Sequence, residues 1–192
     1  MLIDFQPLFK REIFPIDFAM KFSPDDLRAA VHSYVDFTLQ IIDSVPDEQL
    51  FCIPDDPEAD DLHASEAERH QGWSLAHLVL HATASFEEGA AFSSLLARGI
   101  VIGERLRYEP DWHLVSTRPE VVARLEECRR IGLAYMDTWP DQPHLETLRI
   151  MPEKLSWMKV NAPTAFLHGL MHWHKHLEQF QKVADQMKKE VA

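Results

Sequence analysis

The chain has 192 residues, of which 46% are hydrophobic and 26% are charged, and its formal net charge is −12. This composition is ordinary for a globular protein, and the length fits a single domain over residues 1–192. The negative charge argues against a nucleic-acid partner, which needs a basic surface, and against docking on an anionic membrane. The two cysteines, Cys52 and Cys128, are too few for a disulfide framework.

No uninterrupted apolar run approaches the ~20 residues that a membrane-spanning helix needs. The first 14 residues mix charged and aromatic side chains and contain no apolar core of the signal-peptide kind. We therefore expect a cytoplasmic protein with no membrane partner.

The first 22 residues show no clear helical or strand periodicity. We interpret them as an N-terminal arm and refer to them as the arm. Five phenylalanines are spread along it: Phe5, Phe9, Phe14, Phe18 and Phe22. We expect these rings to pack on the body of the protein or on a second subunit. A homodimer is the assembly that we predict.

The first long helix is predicted to begin at Ser23-Pro24, where a serine N-cap precedes a proline in the first turn. Apolar residues then recur at helical spacing up to about Val45, and Pro46 ends the helix. An acidic loop follows over residues 46–72, in which Arg69 is the one basic residue among many carboxylates. We interpret this charge run as a solvated surface.

The second long helix is predicted to begin after Ser74, an N-cap candidate, and to run to about Ala97. His77 and His81 lie on this helix, four residues apart. An irregular crossover then covers residues 99–116.

The third long helix is predicted from the capping-box sequence Thr-Arg-Pro-Glu at residues 117–120, and it should end before Trp139. A hairpin-like crossover is expected over residues 140–160. Its two β-like or turn segments are expected at Leu148–Met151 and Leu155–Val160.

The fourth long helix is predicted to begin after Asn161, and four of the eleven histidines lie within nine of its positions: His168, His172, His174 and His176. Residues four apart share a helix face, so His168, His172 and His176 form a ladder in which an adjacent pair could chelate a metal ion. A third ligand eight positions along lies too far down the axis, so another helix should supply it. His174 is offset from this face and is expected to lie outside the site.

Four long amphipathic segments with irregular crossovers predict an all-α, four-helix bundle. Bundles often build metal sites from side chains on facing helices. A histidine of the second helix that faces the ladder would therefore complete a site of three neutral imidazoles.

Three local features extend this interpretation. The first is the segment Asp47–Leu50, and the second is a Trp-Ser pair at residues 73–74 that is followed by a histidine eight residues after the tryptophan. The third is an H-x-x-x-H-x-x-Q pattern over residues 172–179. Together they resemble the DinB-like (DinB/YfiT) superfamily of metal-binding four-helix-bundle proteins. The resemblance implies that His81, His172 and His176 are the metal ligands. It also places Gln179 one turn past His176, in a position to orient a ligand or to serve the structure.

His77 and His168 each lie one turn before a proposed ligand. They could be alternative ligands, groups that orient a ligand, or groups that contact substrate, and a polar role outside the site is our first expectation for both. The chain lacks H-E-x-x-H, paired Glu-x-x-His motifs, C-x-x-C-H, glycine-rich phosphate loops and G-x-S-x-G. Zincin proteases, di-iron proteins, c-type haem proteins and α/β-hydrolases are therefore not expected.

The resemblance implies a family that includes thiol-dependent isomerases and thiol S-transferases, in which a low-molecular-weight thiol binds the metal as a thiolate. We therefore predict a metal-dependent enzyme that acts on a small molecule with zinc or nickel, either as a hydrolase or as a low-molecular-weight-thiol S-transferase. Glu87 and Glu88 lie on the second helix, but no spacing ties either to the site as a general base. The alternative is a non-enzymatic dimeric module in which the histidine site is vestigial or structural.

Overall fold

A computed structural model of the chain describes residues 1–61, 65–150 and 159–189. The helices in these ranges are α1 (Gln6–Phe9), α2 (Pro15–Ala19), α3 (Pro24–Asp43), α4 (Leu75–Ala97), α5 (Arg118–Asp137) and α6 (Ala162–Lys189). The short strands β1 (Arg149–Ile150) and β2 (Lys159–Val160) form an antiparallel pair. Two 3₁₀ turns lie at Asp47–Leu50 and Trp112–Leu114.

The four long helices share one hydrophobic core. α4 packs against α5 and α6, and α3 packs against the same two helices, so each long helix has two long neighbours. The largest side chains that this core buries completely include Tyr34, Phe86, Phe166, Trp173 and Phe180. The predicted all-α fold is therefore confirmed, and the helix contacts are those that a four-helix bundle requires. Among the described residues, none of these helices combines the length and the hydropathy that crossing a bilayer demands.

The two helices that carry the histidines of interest begin at the predicted caps. The Ser74 hydroxyl accepts the backbone N–H of His77 at 3.2 Å, and the Asn161 side-chain oxygen accepts the backbone N–H of Thr164 at 3.2 Å. Each cap satisfies an N–H group that the first helical turn leaves without a partner. These local bonds set where α4 and α6 start, and therefore which turn each histidine occupies.

The arm contains two short helices, α1 and α2, where the sequence shows no helical period. They have four and five residues, which is too short for an apolar repeat to emerge. Phe5 and Phe18 of the arm are buried, and the Phe5 ring meets the His174 ring edge-on at 5.3 Å. The arm therefore packs on the body of the protein, which is one of the two arrangements expected for it.

The hairpin-like crossover before α6 is present at its two described ends. Arg149 is paired with Val160, and Ile150 with Lys159, in the β1–β2 ladder. Residues 151–158, which contain the rest of the two predicted β-like segments, lie outside the described residues.

α4 and α6 approach each other closely because each carries a glycine at the contact. A Cβ atom at Gly89 would lie 2.7 Å from the Ala165 carbonyl oxygen, and one at Gly169 would lie 2.9 Å from the Phe86 Cα atom. Both separations are shorter than van der Waals contact, so a larger residue would have to move the backbone of the facing helix. The glycines therefore set the distance between the two helices.

We expect Gly89→Ala to lower the free energy of unfolding by about 1–3 kcal/mol, because the added methyl group forces α4 and α6 apart. The better helix propensity of alanine should offset only part of this loss. Urea unfolding followed by circular dichroism measures the effect. Gly103→Ala is the matched control, since a Cβ atom there would meet no atom within 4 Å. A Gly89→Ala protein as stable as the unmodified chain would contradict this account of the helix contact.

Candidate metal centre

His81 on α4 and His172 and His176 on α6 come together in one cluster. The Nε2 atoms of His81 and His172 lie 2.9 Å apart, and one potential ligand atom from each of the three residues lies within 4.8 Å of the other two. The ring centroids are 4.9 Å apart in all three pairs. The three ring centroids therefore form an equilateral triangle, and each ring brings a potential ligand nitrogen to the same place.

The arrangement follows from one local and one long-range feature. His172 and His176 are one helical turn apart, so α6 alone places them side by side. His81 reaches them because Gly89 and Gly169 let α4 lie close to α6. The structure thus brings together the three histidines that the sequence predicts as ligands.

A hydrogen bond that His176 donates to Gln179 orients the ring of His176. The His176 Nδ1 atom lies 2.8 Å from the Gln179 Oε1 atom. An amide oxygen can only accept, so Nδ1 carries the proton and the Nε2 lone pair is available. Gln179 therefore contacts a proposed ligand, in keeping with one of the two roles expected for it.

Glu109 of the 99–116 crossover takes the corresponding position at His81. Its Oε1 atom lies 3.1 Å from the His81 Nδ1 atom, on the ring edge opposite the Nε2 atom that faces His172. A proton on Nδ1 that is donated to Glu109 leaves Nε2 with its lone pair toward the cluster. Carboxylates commonly orient metal-binding histidines in this way.

Arg107 completes this group through an ion pair with Glu109 and a contact of 3.0 Å between its Nη2 atom and the His81 Nδ1 atom. A guanidinium only donates, so Arg107 cannot hydrogen-bond to Nδ1 while that atom carries the proton that Glu109 accepts, and the role of Arg107 is then its ion pair with Glu109. Burial by itself would raise the pKa of Glu109, but the hydrogen bond with His81 and the charge of Arg107 lower it to about 2. Glu109 is therefore an ionised acceptor at neutral pH.

Trp73 forms an aromatic wall beside the cluster. Its ring centroid lies 4.5 Å from that of His81 and 5.9 Å from that of His176. His77 lies between Trp73 and Trp112, at centroid distances of 4.6 and 5.1 Å. His77 is thus held in an aromatic stack one turn before His81 and is not part of the triangle.

His168 and His174 also lie outside the triangle. The His174 Nδ1 atom is 2.9 Å from the Tyr34 hydroxyl oxygen, and its ring packs on Phe5, as its angular offset on the helix predicts. His168 lines a separate cavity between the arm and α6. Of the ladder on α6, only His172 and His176 face α4.

The surroundings of His172 and His176 favour the neutral form that a metal ligand requires. Burial is the largest cause, and the positive charge of Arg107 acts in the same direction. Together they lower the pKa of His172 to about 3 and also lower the pKa of His176. Burial lowers the pKa of His77 to about 4.

Glu87 and Glu88, the acids available on α4, are both engaged by arginines. Glu87 forms an ion pair of 2.7 Å with Arg124, and Glu88 forms one of 3.1 Å with Arg105. Neither contacts a histidine of the cluster. Glu109 and Arg107 were not predicted from the sequence, because they lie in an irregular crossover where no period shows which side chains face inward.

The DinB superfamily model matches residues 36–180, most of the chain, and this span contains all three histidines of the cluster. The chain therefore belongs to the DinB superfamily, and the resemblance seen in the sequence is confirmed. No curated protein and no solved structure matches the chain.

We expect the metal-free protein to lose stability as the pH falls from about 6.5 toward 4. His172 and His77 have folded-state pKa values of about 3 and about 4, whereas an unfolded histidine has a pKa near 6.5. The unfolded chain therefore binds more protons in this interval, so unfolding becomes easier as the pH falls. The melting temperature should drop between pH 7.5 and pH 5 in a thermal scan by circular dichroism.

His77→Gln should make this drop shallower, because it removes one group that is buried in the neutral form. His32→Gln, at an exposed histidine, is the control and should keep the full drop. A melting temperature that does not change across this pH range would contradict the burial of neutral histidines.

Proposed function

We propose that His81, His172 and His176 bind one divalent metal ion, zinc or nickel, and that the protein uses this ion as an enzyme acting on a small molecule. The observation that carries the proposal is the convergence of three imidazoles, two of which contact the orienting groups Gln179 and Glu109. Three nitrogen donors of this kind suit zinc and leave at least one coordination position for another molecule.

The number of ligands favours catalysis over a structural role. Structural zinc sites are usually closed by four protein ligands, whereas catalytic sites keep a position open. In the part of the chain that the structure describes, no fourth His, Cys, Asp or Glu side chain joins the three histidines. Trp73 flanks His81 and His176 and offers an aromatic surface to a bound small molecule.

The positions of the carboxylates lead us to favour thiol transfer over hydrolysis. Glu87 and Glu88 are held by arginines, and Glu109 contacts the edge of His81 that faces away from the cluster. None of these three is therefore placed as a base for an attacking water. A thiol has a pKa of about 8.5 and depends less on such a base. A divalent ion bound at the histidines would supply the Lewis acidity that deprotonates it.

Loading the protein with Co²⁺, a spectroscopic substitute for zinc, tests both parts of the proposal. We expect about one ion per chain by elemental analysis, and a new sulfur-to-cobalt charge-transfer absorption when a low-molecular-weight thiol such as 2-mercaptoethanol is added. His172→Ala removes one of the three ligands and should abolish both signals. His32→Ala, at an exposed histidine outside the cluster, should keep both.

Failure of each signal has a separate meaning. If the unmodified protein retains no zinc, nickel or cobalt after soaking, the metal site is wrong. If it binds one ion but no thiol reaches it, thiol transfer is wrong and a metal-dependent hydrolase becomes the better candidate. A bound metal that responds to no added small molecule, and whose removal mainly lowers the melting temperature, would favour the non-enzymatic module.

We expect Glu109→Gln to weaken metal binding by about 10–100-fold, because the charged acceptor that holds the His81 Nδ1 proton is lost. Competition with a chromogenic chelator measures the affinity. Glu104→Gln is the matched control, since this exposed acid of the same crossover has no contact with His81. Equal affinities of the two variants would show that Glu109 does not orient His81.

A further inference from the structure

A cavity of about 580 Å³ lies between the arm and α6. This volume is within the range of small-molecule binding sites. Most of its wall is apolar, and the apolar lining residues include Leu8, Phe9, Ile13, Phe14, Leu167 and Met171. Neither the three histidines of the cluster nor Trp73 lines it, so it is distinct from the candidate metal centre.

The charged residues that line this cavity carry a net positive charge, whereas the whole chain is negatively charged. Lys175 and Arg11 line it together with a single acid among the described residues, Glu12. The chain as a whole has 31 acidic residues against 19 Lys and Arg. Lys175 is exposed, and its Nζ atom lies 5.5 Å from the centroid of the Phe9 ring, so the ammonium group stands at the rim of the apolar wall. The rim therefore favours an anion.

His168 adds a neutral polar group inside the cavity. It is half-buried, and neither ring nitrogen has a hydrogen-bond partner within the described ranges. Burial lowers its pKa, so the ring is uncharged at neutral pH. Buried polar groups normally have partners, and one that faces a cavity is available to a bound molecule.

Arg11 occupies a backbone position that usually belongs to glycine. The N–H of Arg11 bonds to the Leu8 carbonyl at 3.1 Å and the N–H of Glu12 bonds to the Pro7 carbonyl at 2.9 Å, which is the Schellman pattern at the end of α1. Arg11 has the positive φ of 57° that this pattern requires. A non-glycine residue is destabilising in this left-handed conformation. The arginine thus costs stability at a place where its side chain lines the cavity.

We propose that this cavity binds an amphipathic carboxylate, with the apolar body between the arm and α6 and the carboxylate at Lys175 and Arg11. The apolar wall accounts for the body, and the cationic rim selects an anion over a neutral or cationic head group. The proposal does not depend on a metal ion at the histidine cluster.

Decanoate is the probe, and calorimetric titration of the metal-free protein is the measurement. We expect saturable binding of one decanoate per chain. Decanol should bind about tenfold more weakly, because it lacks the charge that Lys175 and Arg11 would meet. Decyltrimethylammonium, with the same chain and the opposite charge, should not bind. Equal binding of all three would overturn the proposal.

Two variants test whether decanoate binds in this cavity. Met171→Trp fills the wall and should abolish decanoate binding. Lys175→Glu reverses the rim charge at an exposed position and should weaken binding at least tenfold, while Lys182→Glu, exposed on the same helix but outside the cavity, should not. Lys175→Glu protein that binds as tightly as the Lys182→Glu protein would overturn the assignment of the carboxylate.

Arg11→Gly separates the effect of Arg11 on stability from its proposed effect on carboxylate binding. It should raise the melting temperature, because glycine relieves the left-handed backbone, and it should weaken decanoate binding several-fold. An unchanged affinity for decanoate in this variant would overturn the role given to Arg11.

Two further results would also overturn the proposal. Loss of decanoate binding in His172→Ala would place the carboxylate at the histidine cluster. A concentration-dependent dimer by light scattering that binds no decanoate would show that a second copy of the chain covers the cavity.

Discussion

The distance between α4 and α6 is the constraint on which the rest of the structure depends. Gly89 and Gly169 allow the two helices to approach until backbone meets backbone. One helix carries His81 and the other carries His172, and their Nε2 atoms lie 2.9 Å apart. Metal–nitrogen distances are about 2.0–2.1 Å, so a helix displacement of ~1 Å would leave a three-histidine site incomplete.

The bundle and the crossover contribute differently to the histidine cluster. The helices determine where the three rings lie, whereas the 99–116 crossover influences how one of them is oriented. Glu109 and Arg107 contact the outer edge of His81, and Trp112 stacks on His77. An irregular segment can do this because its backbone does not follow a helical repeat. Side chains at positions 107, 109 and 112 can therefore all face the histidines of α4.

α6 serves several purposes because its faces meet different partners. Trp173 and Phe180 point into the core, His172 and His176 face α4, and Met171 lines the cavity under the arm. Neighbouring positions such as 171, 172 and 173 are turned by about 100° from one another, so each faces a different partner. A change in the length of α6 before residue 171 would therefore disturb the core, the cluster and the cavity together.

The sequence by itself determined the features that depend on neighbouring residues. Ser74 and Asn161 are recognisable as N-caps because their capping bonds are made within one helical turn. The spacing of His172 and His176 places these two residues on one helix face. The choice of His81 over His77 needed the family resemblance, because both lie on α4 at helical spacing. Only the tertiary structure decided that His168 faces the arm, that Glu109 reaches His81, and that Arg11 lines a cavity. These outcomes depend on packing between segments far apart in the chain, which local periodicity does not encode.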